Sequence, residues 1–513
     1  MREVQKPLRL IITEEFESLD ISSRNFYAMV ALLQSQMLIP LVSLTLSSGK
    51  FDRDWLDLEI VKGRLGGVLR YEKGGFEISA SNRIVAEIVS NAAYKTSDQV
   101  FSTLKRFVGA VNLGNKLELN LLHMLLIDRL SGELGSRLKA EQKMDLFNDA
   151  VNIVRSRPLL LHLAMLQMRS DKIDKAGESL REAFNAHVAD FDEPEQHVFD
   201  VKGRLELKIA ENAADKPIKW DHLEKAEACF HDAQINPSST PHSYQGLGKT
   251  YLEKAKIADD NSTKWLYLLL AMQECSYSEN FQGGEFNTGI RLLKKEVLTI
   301  LKSEALDLQK ISQINNHTGQ GTAYAFLAEL SIQDCQFKKA LRLVEEGLSV
   351  DSKSIWLIRL HVQLLKKETP DNVEEINRAL EDYVRLSDKR FDVPLSFALA
   401  IETFKKGDFK TAIHLFEELN ERTKYHPKRL TQSPENRWME KGNPKEFLGN
   451  VIEPPTYGKY GKIECSSLPG FERTLEFGLK DAEASFHGGE KVSFSIIFNM
   501  VGPQASRVRK FAF

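Results

Sequence analysis

The chain has 513 residues, of which 42% are hydrophobic and 27% charged, values typical of a globular protein with several structural units. Its 69 lysines and arginines nearly balance its 72 aspartates and glutamates, so no overall charge attracts it to nucleic acid or to an anionic membrane. The first twenty residues include acidic side chains and lack the apolar core of a signal peptide, and no apolar stretch is long enough to span a bilayer. The sequence therefore predicts a cytoplasmic protein without membrane contact.

The chain contains four cysteines and twelve histidines. The cysteines are far apart in the sequence, so no pair of them has the spacing of a zinc site. We expect reduced thiols, as in other cytosolic proteins. None of the histidines falls in an H-E-x-x-H or H-x-x-x-H pattern. The sequence therefore predicts no metal site.

One tripeptide resembles part of a catalytic motif. Gly248-Lys249-Thr250 looks like the end of a phosphate-binding loop, but Ser243 stands five positions before Gly248, where that loop needs a glycine. The G-x-S-x-G element that carries the nucleophile of α/β-hydrolases is absent from the sequence. Paired acidic residues fall on the solvent-facing sides of predicted helices, where charged side chains are expected. The sequence therefore predicts a non-enzymatic protein without a cofactor.

Residues 1–96 are predicted to form a small α/β unit. The helical spacing of apolar residues predicts helices over 24–38, 53–65 and 83–92. Two β-rich runs, 68–71 and 76–79, flank Gly74-Gly75, which supplies the positive φ of a tight hairpin. Helices combined with a hairpin are typical of a winged-helix module, which binds DNA in some proteins and serves as a spacer in others.

Residues 97–430 are predicted to be helical, with small residues recurring at fixed positions. Over 321–350, Ala328 lies on one face of a first helix, and Ala340 and Gly347 lie on one face of a second. Small side chains at these positions allow two antiparallel helices to approach closely. The same register recurs at Leu160, Ala164, Ala176, Leu180 and Ala183, at Ala226, Phe230 and Ala233, at Tyr244, Leu247, Gly248 and Tyr251, and at Leu399, Ala400, Ala412, Phe416 and Leu419.

The distance between equivalent alanines identifies the repeat. Ala340 and Ala412 are 72 residues apart, which is two repeats of about 36 residues, close to the ~34 residues of tetratricopeptide (TPR) repeats. The sequence over roughly 120–430 resembles this family, with about seven or eight units. The resemblance implies a right-handed superhelix of helix pairs whose concave groove receives a protein partner. A helical bundle without repeats is the alternative.

The C-terminal part changes pattern twice. Residues 431–456 are rich in proline and glycine and are predicted to be a linker. Residues 457–513 show the period of two that is typical of strands, and predict a small all-β unit of about five strands, the size of an OB-type barrel. The predicted strands are 460–465, 474–479, 491–499 and 507–511.

Part of this barrel resembles a cold-shock domain. The runs FHGGEKVSF at 486–494 and GPQASRV at 502–508 resemble the last half of that family, and 460–463 resembles its first strand. Cold-shock domains stack single-stranded bases on aromatic side chains. The resemblance implies Lys462, Phe471 and Phe477 as candidate nucleic-acid contacts. Other aromatic positions of the family's motifs are not aromatic here, and Glu472 and Glu476 would repel phosphate, which favours a structural or protein-binding barrel.

The N-terminal region carries a further resemblance. Residues 9–92, with SSRNFYAMVALLQSQMLIPL at 22–41 and SNRIVAEIV at 81–89, resemble the winged-helix segment of bacterial STAND-type signalling NTPases. Helical repeats often follow that segment, and some of these proteins act in defence against phage. The sequence lacks their P-loop core. The resemblance implies the repeat-bearing sensor half of a split or truncated system, whose partner is an NTPase or effector encoded nearby.

The sequence as a whole predicts a mostly α protein, in which a TPR-like α-solenoid is flanked by an N-terminal winged-helix-like unit and a small C-terminal all-β OB-like barrel. We expect it to act as a non-enzymatic protein-interaction scaffold or sensor. The alternative is a nucleic-acid-binding protein that uses the barrel, the winged helix or both.

Overall fold

A computed structural model gives the architecture of most of the chain. It describes residues 2–33, 37–38, 69–72, 77–80, 83–112, 114–130, 132–186, 195–234, 241–282, 288–369, 373–386, 392–423, 436–440, 443–457 and 459–511. These residues form two compact units, Met1–Ile209 and Ala210–Phe513, each with its own hydrophobic core. As predicted, the described part of the chain is mostly α-helical, with paired helices followed by a small closed β-barrel.

The first unit opens with two helices and a three-stranded antiparallel sheet: α1 (Arg2–Ser18), α2 (Ile21–Leu33), β1 (Met37–Leu38), β2 (Leu69–Glu72) and β3 (Glu77–Ala80). β3 lies in the middle of the sheet. The predicted hairpin is confirmed, and both of its strands begin one residue later than expected, with Leu69 opposite Ala80. The assignment of this region to the winged-helix class stays a prediction.

The helix predicted over 24–38 differs from the observed α2 at both ends. It begins at Ile21 because Asp20 accepts hydrogen bonds from the backbone N–H of Ser23 (3.0 Å) and from its hydroxyl (2.6 Å), as a helix-capping side chain does. It ends at Leu33, and Met37, expected on its apolar face, instead pairs with Ile78 in the sheet. The helix predicted over 53–65 lies outside the described residues.

Helices make up the rest of the first unit. They are α3 (Arg83–Ala93), α4 (Ser97–Ala110), α5 (Lys116–His123), which continues as a π-helical turn (Met124–Arg129), α6 (Glu133–Ser136), α7 (Ala140–Ile153), α8 (Arg157–Arg169), α9 (Ile173–Asn185) and α10 (Glu195–Asn212). α3 confirms the helix predicted over 83–92. α8 and α9 confirm the first repeat pair, because the alanines expected at their contact, Ala164, Ala176 and Ala183, are fully buried.

The second unit continues the helix pairs. Its helices are α11 (Lys216–Gln234), α12 (Pro241–Ile257), α13 (Asn261–Gln282), α14 (Thr288–Ser303), α15 (Leu308–Ile311), α16 (His317–Gln333), α17 (Phe337–Val350), α18 (Ile355–Glu368), α19 (Val373–Leu386), α20 (Val393–Lys405) and α21 (Phe409–Arg422). The two helices of each of the pairs α12/α13, α16/α17, α18/α19 and α20/α21 pack against each other.

Small residues at the helix crossings explain this close packing. Ala340 in α17 and Ala412 in α21 are fully buried. A Cβ at Gly347 would lie 2.8 Å from the Cβ of Tyr324 and 2.9 Å from the side chain of Leu357. A Cβ at Gly246 would overlap the ring of Phe230. The small-residue pattern therefore marks true helix contacts, as the repeat prediction requires.

The chain ends in a closed five-stranded barrel. Its strands are β6 (Glu446–Glu453), β7 (Gly461–Cys465), β8 (Thr474–Phe477), β9 (Lys491–Asn499) and β10 (Gly502–Lys510), and a short ribbon, β4 (Met439–Glu440) with β5 (Asn443–Pro444), precedes them. Around the barrel the order is β10-β8-β7-β6-β9. The neighbours are antiparallel except β8 and β10, which pair in parallel at Glu476 and Gln504. This five-stranded arrangement is consistent with an OB-type barrel.

The barrel begins earlier than predicted, since Glu446–Glu453, expected in the 431–456 linker, forms its first strand. The strand alternates buried Phe447, Gly449 and Val451 with more exposed residues, because one of its faces lines the barrel core. The segment aligned with the first strand of a cold-shock domain, 460–463, consequently lies at the second strand. The last strand also begins earlier than predicted, because β10 starts at Gly502 and the predicted strand started at 507.

Candidate partner-binding site

The concave groove predicted to receive a partner is occupied by helix α13 of the chain itself along three helix pairs. The first helices of these pairs, α16, α18 and α20, all contact α13. α13 has 22 residues, whereas α17, α19 and α21 have 14 each. Every residue of α13 from Ala271 to Ser278 is buried. This stretch of α13 is buried on all sides and is therefore part of a core.

Polar contacts fix α13 in this position. Thr322 of α16 donates a hydrogen bond to Gln273 (2.8 Å), and Arg359 of α18 donates one to Ser276 (2.7 Å). Arg359 also forms an ion pair with Asp392 (3.1 Å), and both side chains are almost fully buried. Burial raises the pKa of Asp392, and the Arg359 guanidinium opposes that shift. The expected open groove is therefore closed between α16, α18 and α20, because α13 fills it.

An aromatic cluster joins the last helix pair to the barrel. The ring of Phe404 in α20 forms edge-to-face contacts with three other rings. The distances between ring centroids are 4.9 Å to Phe409, 5.3 Å to Phe471 and 5.4 Å to Phe498. Phe416 of α21 stacks on Phe498, with their centroids 6.1 Å apart. Aromatic pairs in such geometries stabilise an interface beyond the area they bury. The barrel is thus held firmly against α20 and α21.

This junction explains where the predicted nucleic-acid contacts lie. Phe471 is 8% exposed within the aromatic cluster, and Phe477 is 1% exposed in the barrel core beside Phe486. Both rings are largely buried, so little of either is exposed to a base, and their assignment as nucleic-acid contacts stays a prediction. Lys462 is partly exposed, and its Nζ lies 3.2 Å from a carboxylate oxygen of Glu453. The three residues do not form a common aromatic and basic surface.

A cleft opens beside the aromatic cluster, between α21 and the barrel, with a volume of about 240 Å³. We call it the junction cleft, and its lining residues are Ile413, Phe416, Glu417, Phe471, Arg473, Thr474, Glu476, Val501, Gly502, Pro503 and Gln504. Arg473 and Glu417 form an ion pair of 2.9 Å at an exposed position. The lining combines apolar side chains such as Ile413 and Val501 with hydrogen-bonding ones such as Thr474 and Gln504.

Sequence reasoning missed the junction cleft because its two walls are distant in the chain. Glu417 and Arg473 are separated by 56 positions. From the sequence alone, Glu476 is only a residue that would repel phosphate. The period of two in β8 placed Glu476 on the outer side of its strand, which is the one signal the sequence offered for this site.

The described residues contain neither a metal-binding cluster nor a membrane-spanning helix. Within those ranges, no cluster of three histidine, cysteine, aspartate or glutamate side chains is arranged to hold a metal ion. No helix in the same part of the chain combines the length and the hydropathy that crossing a membrane requires.

No protein-family model and no curated protein matches this sequence. Solved structures that the chain matches include yeast Tom70, which is 15% identical, with 75% of this chain and 77% of that chain covered and a TM-score of 0.22. The TPR domain of P58(IPK) is 14% identical, with 63% and 88% covered and a TM-score of 0.22. The TPR2AB domain of yeast Sti1, solved in complex with pHSP90, is 12% identical, with 52% and 90% covered and a TM-score of 0.20. The helix-pair architecture is established by the chain's own packing.

Proposed function

We propose that this chain is a non-enzymatic protein-interaction scaffold of the cytoplasm, and that a partner protein binds at the junction cleft. The observation that carries the proposal is the cleft itself, a concave site between two elements that the aromatic cluster holds in fixed positions. A rigid site loses little conformational entropy when a partner binds. The closed surface around α13 favours the cleft over the inner face of the repeats.

A site-specific photocrosslinker tests this proposal in the native host. p-Benzoylphenylalanine is placed at Thr474, in the cleft, and in a matched variant at Lys338, an exposed residue of α17 outside the cleft. We expect one partner protein to crosslink from position 474 and not from position 338. We also expect that partner, once purified, to form a stable complex with the full chain. Identical crosslinked species from both positions, or none from position 474, would contradict the proposal.

The N-terminal resemblance adds a partner class. The likeness of residues 9–92 to the winged-helix segment of STAND-type NTPases supports an NTPase or effector encoded near this chain's gene as the partner. Co-expression of the chain with each neighbouring gene product, followed by size-exclusion chromatography, tests this. A product that elutes separately at micromolar concentration is ruled out as a stable partner.

Nucleic-acid binding by the barrel or the N-terminal unit is the alternative, and the barrel offers it little support. Its two candidate aromatic rings are buried, and Lys462 is paired with Glu453. Glu464 and Glu476 place further negative charge on β7 and β8. Retention of the full chain on single-stranded oligonucleotides at low salt, with a steep loss of affinity as salt increases, would establish the alternative.

A further inference from the structure

The charged residues that line the junction cleft have a net negative charge. Three of its lining residues are charged, namely Glu417, Arg473 and Glu476. Arg473 is paired with Glu417, so this pair contributes no net charge. Glu476 lies opposite Lys462 in the β7–β8 pair, but the Lys462 ammonium pairs with Glu453 at 3.2 Å, and within the described residues Glu476 forms no ion pair of its own. A ligand that complements the cleft is therefore cationic.

The shape of the cleft further restricts the ligand. Its volume of about 240 Å³ is below the 300–1,000 Å³ range of pockets for drug-sized molecules, and suits one side chain with its adjoining backbone. Ile413, Val501 and Pro503 provide apolar wall against which the aliphatic stem of a long basic side chain can pack. Thr474 and Gln504 provide hydrogen-bonding groups for an extended peptide.

The rim of the cleft already shows the chemistry that such a side chain would use. The guanidinium of Arg473 approaches a carboxylate oxygen of Glu417 to 2.9 Å. This pair is more than half exposed, so its rearrangement when a second guanidinium arrives carries little energetic cost. Guanidinium groups pair with carboxylates through two parallel hydrogen bonds, which gives the contact directional specificity.

We propose that the junction cleft binds an arginine side chain of an extended partner segment, with Glu476 as its principal carboxylate partner. The proposal rests on the proposed scaffold function and names the chemistry by which the partner is recognised. The guanidinium lies at Glu476 and the rim carboxylate of Glu417, while the aliphatic stem packs along Ile413 and Val501.

The test uses methyl-labelled full-length protein and two peptides. The probe is acetyl-Gly-Arg-Gly-amide, and its matched control carries citrulline, which is neutral and nearly the same shape, in place of arginine. Methyl resonances of Ile413 and Val501 report occupation of the cleft directly. We expect saturable shifts with the arginine peptide, and an affinity lower by on the order of tenfold for the citrulline peptide.

Two protein variants locate the charge. Glu476→Gln keeps the shape of the side chain and removes its charge, and we expect it to weaken arginine-peptide binding by roughly tenfold. Glu464→Gln removes a charge from the exposed side of the neighbouring strand β7, outside the cleft, and we expect no change. Equal binding of the two peptides, equal effects of the two variants, or unshifted Ile413 and Val501 resonances at millimolar peptide would each overturn the proposal.

These outcomes are separable from failure of the scaffold function. A partner that crosslinks from position 474 and binds Glu476→Gln protein with unchanged affinity leaves the scaffold in place and removes the arginine contact. Peptide binding without any crosslinked partner would support the arginine contact and contradict the scaffold function, because the junction cleft would then bind a guanidinium that no protein in the host supplies.

Discussion

Arg359 and Asp392 form an ion pair of 3.1 Å in which both side chains are almost completely removed from solvent. The same guanidinium binds Ser276 of α13, and the carboxylate caps α20 by accepting the backbone N–H of Leu395 at 3.0 Å. The hydroxyl of Tyr383 in α19 accepts a hydrogen bond from the backbone N–H of Asp392 at 3.0 Å. One buried pair therefore connects α13, α18, α19 and α20.

Removal of the cation should destabilise this connection. Arg359→Met leaves the Asp392 carboxyl buried without a counter-charge, and loss of one partner from a buried pair costs about 3–5 kcal/mol. We expect urea unfolding to show a loss in that range, and hydrogen exchange to increase first over 271–278. Lys225→Met, which removes an exposed i,i+4 pair with Asp221, is the control and should leave stability nearly unchanged. Equal losses in both variants would mean that Arg359 does not hold α13.

Two glycine substitutions test the close helix contacts. A Cβ at Gly246 of α12 would overlap the fully buried ring of Phe230, so we expect Gly246→Ala to destabilise the protein by about 1–3 kcal/mol. At Gly109 of α4, a Cβ meets nothing within 4 Å, so Gly109→Ala should stabilise the helix by up to about 1 kcal/mol. Thermal unfolding of both variants checks the opposite signs. A neutral effect at Gly246 would show that Phe230 moves aside without cost.

The repeats were predictable from the sequence because their signal is local. Ala340 and Ala412 recur in register because each must fit a crossing between adjacent helices, and both are fully buried as expected. The first barrel strand was missed for a local reason as well. Its alternating residues, Phe447, Gly449 and Val451, were visible, but the surrounding prolines and glycines made the segment resemble a linker.

The closed inner surface could not be predicted in the same way. Ser276 and Gln273 are polar residues near the end of a long helix, a pattern that normally indicates exposure. Their partners, Arg359 and Thr322, lie 83 and 49 positions further along the chain. Burial of these side chains depends on tertiary contacts between helices that the sequence does not mark. The junction cleft could not be predicted for the same reason, because it is formed by α21 and the barrel, whose residues are distant in the chain.

The buried Lys254 gives a pH-dependent prediction. Its ammonium pairs with Glu227 and lies over the rings of Trp220 (5.2 Å) and Tyr267 (5.3 Å). Burial alone would raise the pKa of Glu227, but the nearby His231 (3.8 Å) and the hydrogen bond from Lys254 outweigh it and lower the pKa to about 2. A carboxyl with a lowered pKa stabilises the fold above its unfolded value near 4.5, and this contribution is lost as pH falls towards 2.

Comparison with Glu227→Gln isolates this contribution. We expect the wild-type protein to be the more stable of the two at pH 6, and the difference in free energy of unfolding to shrink steadily as the pH falls from about 5 towards 2. Urea unfolding at several pH values measures it. A difference that stays constant over this range would show that Glu227 is not held ionised by Lys254.

The aromatic cluster gives the last prediction, which separates a structural role of Phe471 from the nucleic-acid role implied by the cold-shock resemblance. Phe471 packs against Phe404 (5.3 Å) and Phe409 (5.4 Å) and is 8% exposed. Phe471→Ala removes these contacts and leaves a cavity, and truncation of a buried phenylalanine costs about 3–5 kcal/mol. We expect hydrogen exchange to increase in α20, in α21 and in the barrel together, because the cluster joins all three. Tyr457→Ala, at a side chain that is 98% exposed, is the control and should leave stability within about 0.5 kcal/mol of the wild type.

Retention on a single-stranded oligonucleotide at low salt is measured for the same two variants. A variant at Phe471 that keeps its stability and loses oligonucleotide retention would reverse the assignment, since a ring that stacks on bases contributes to binding and not to the junction.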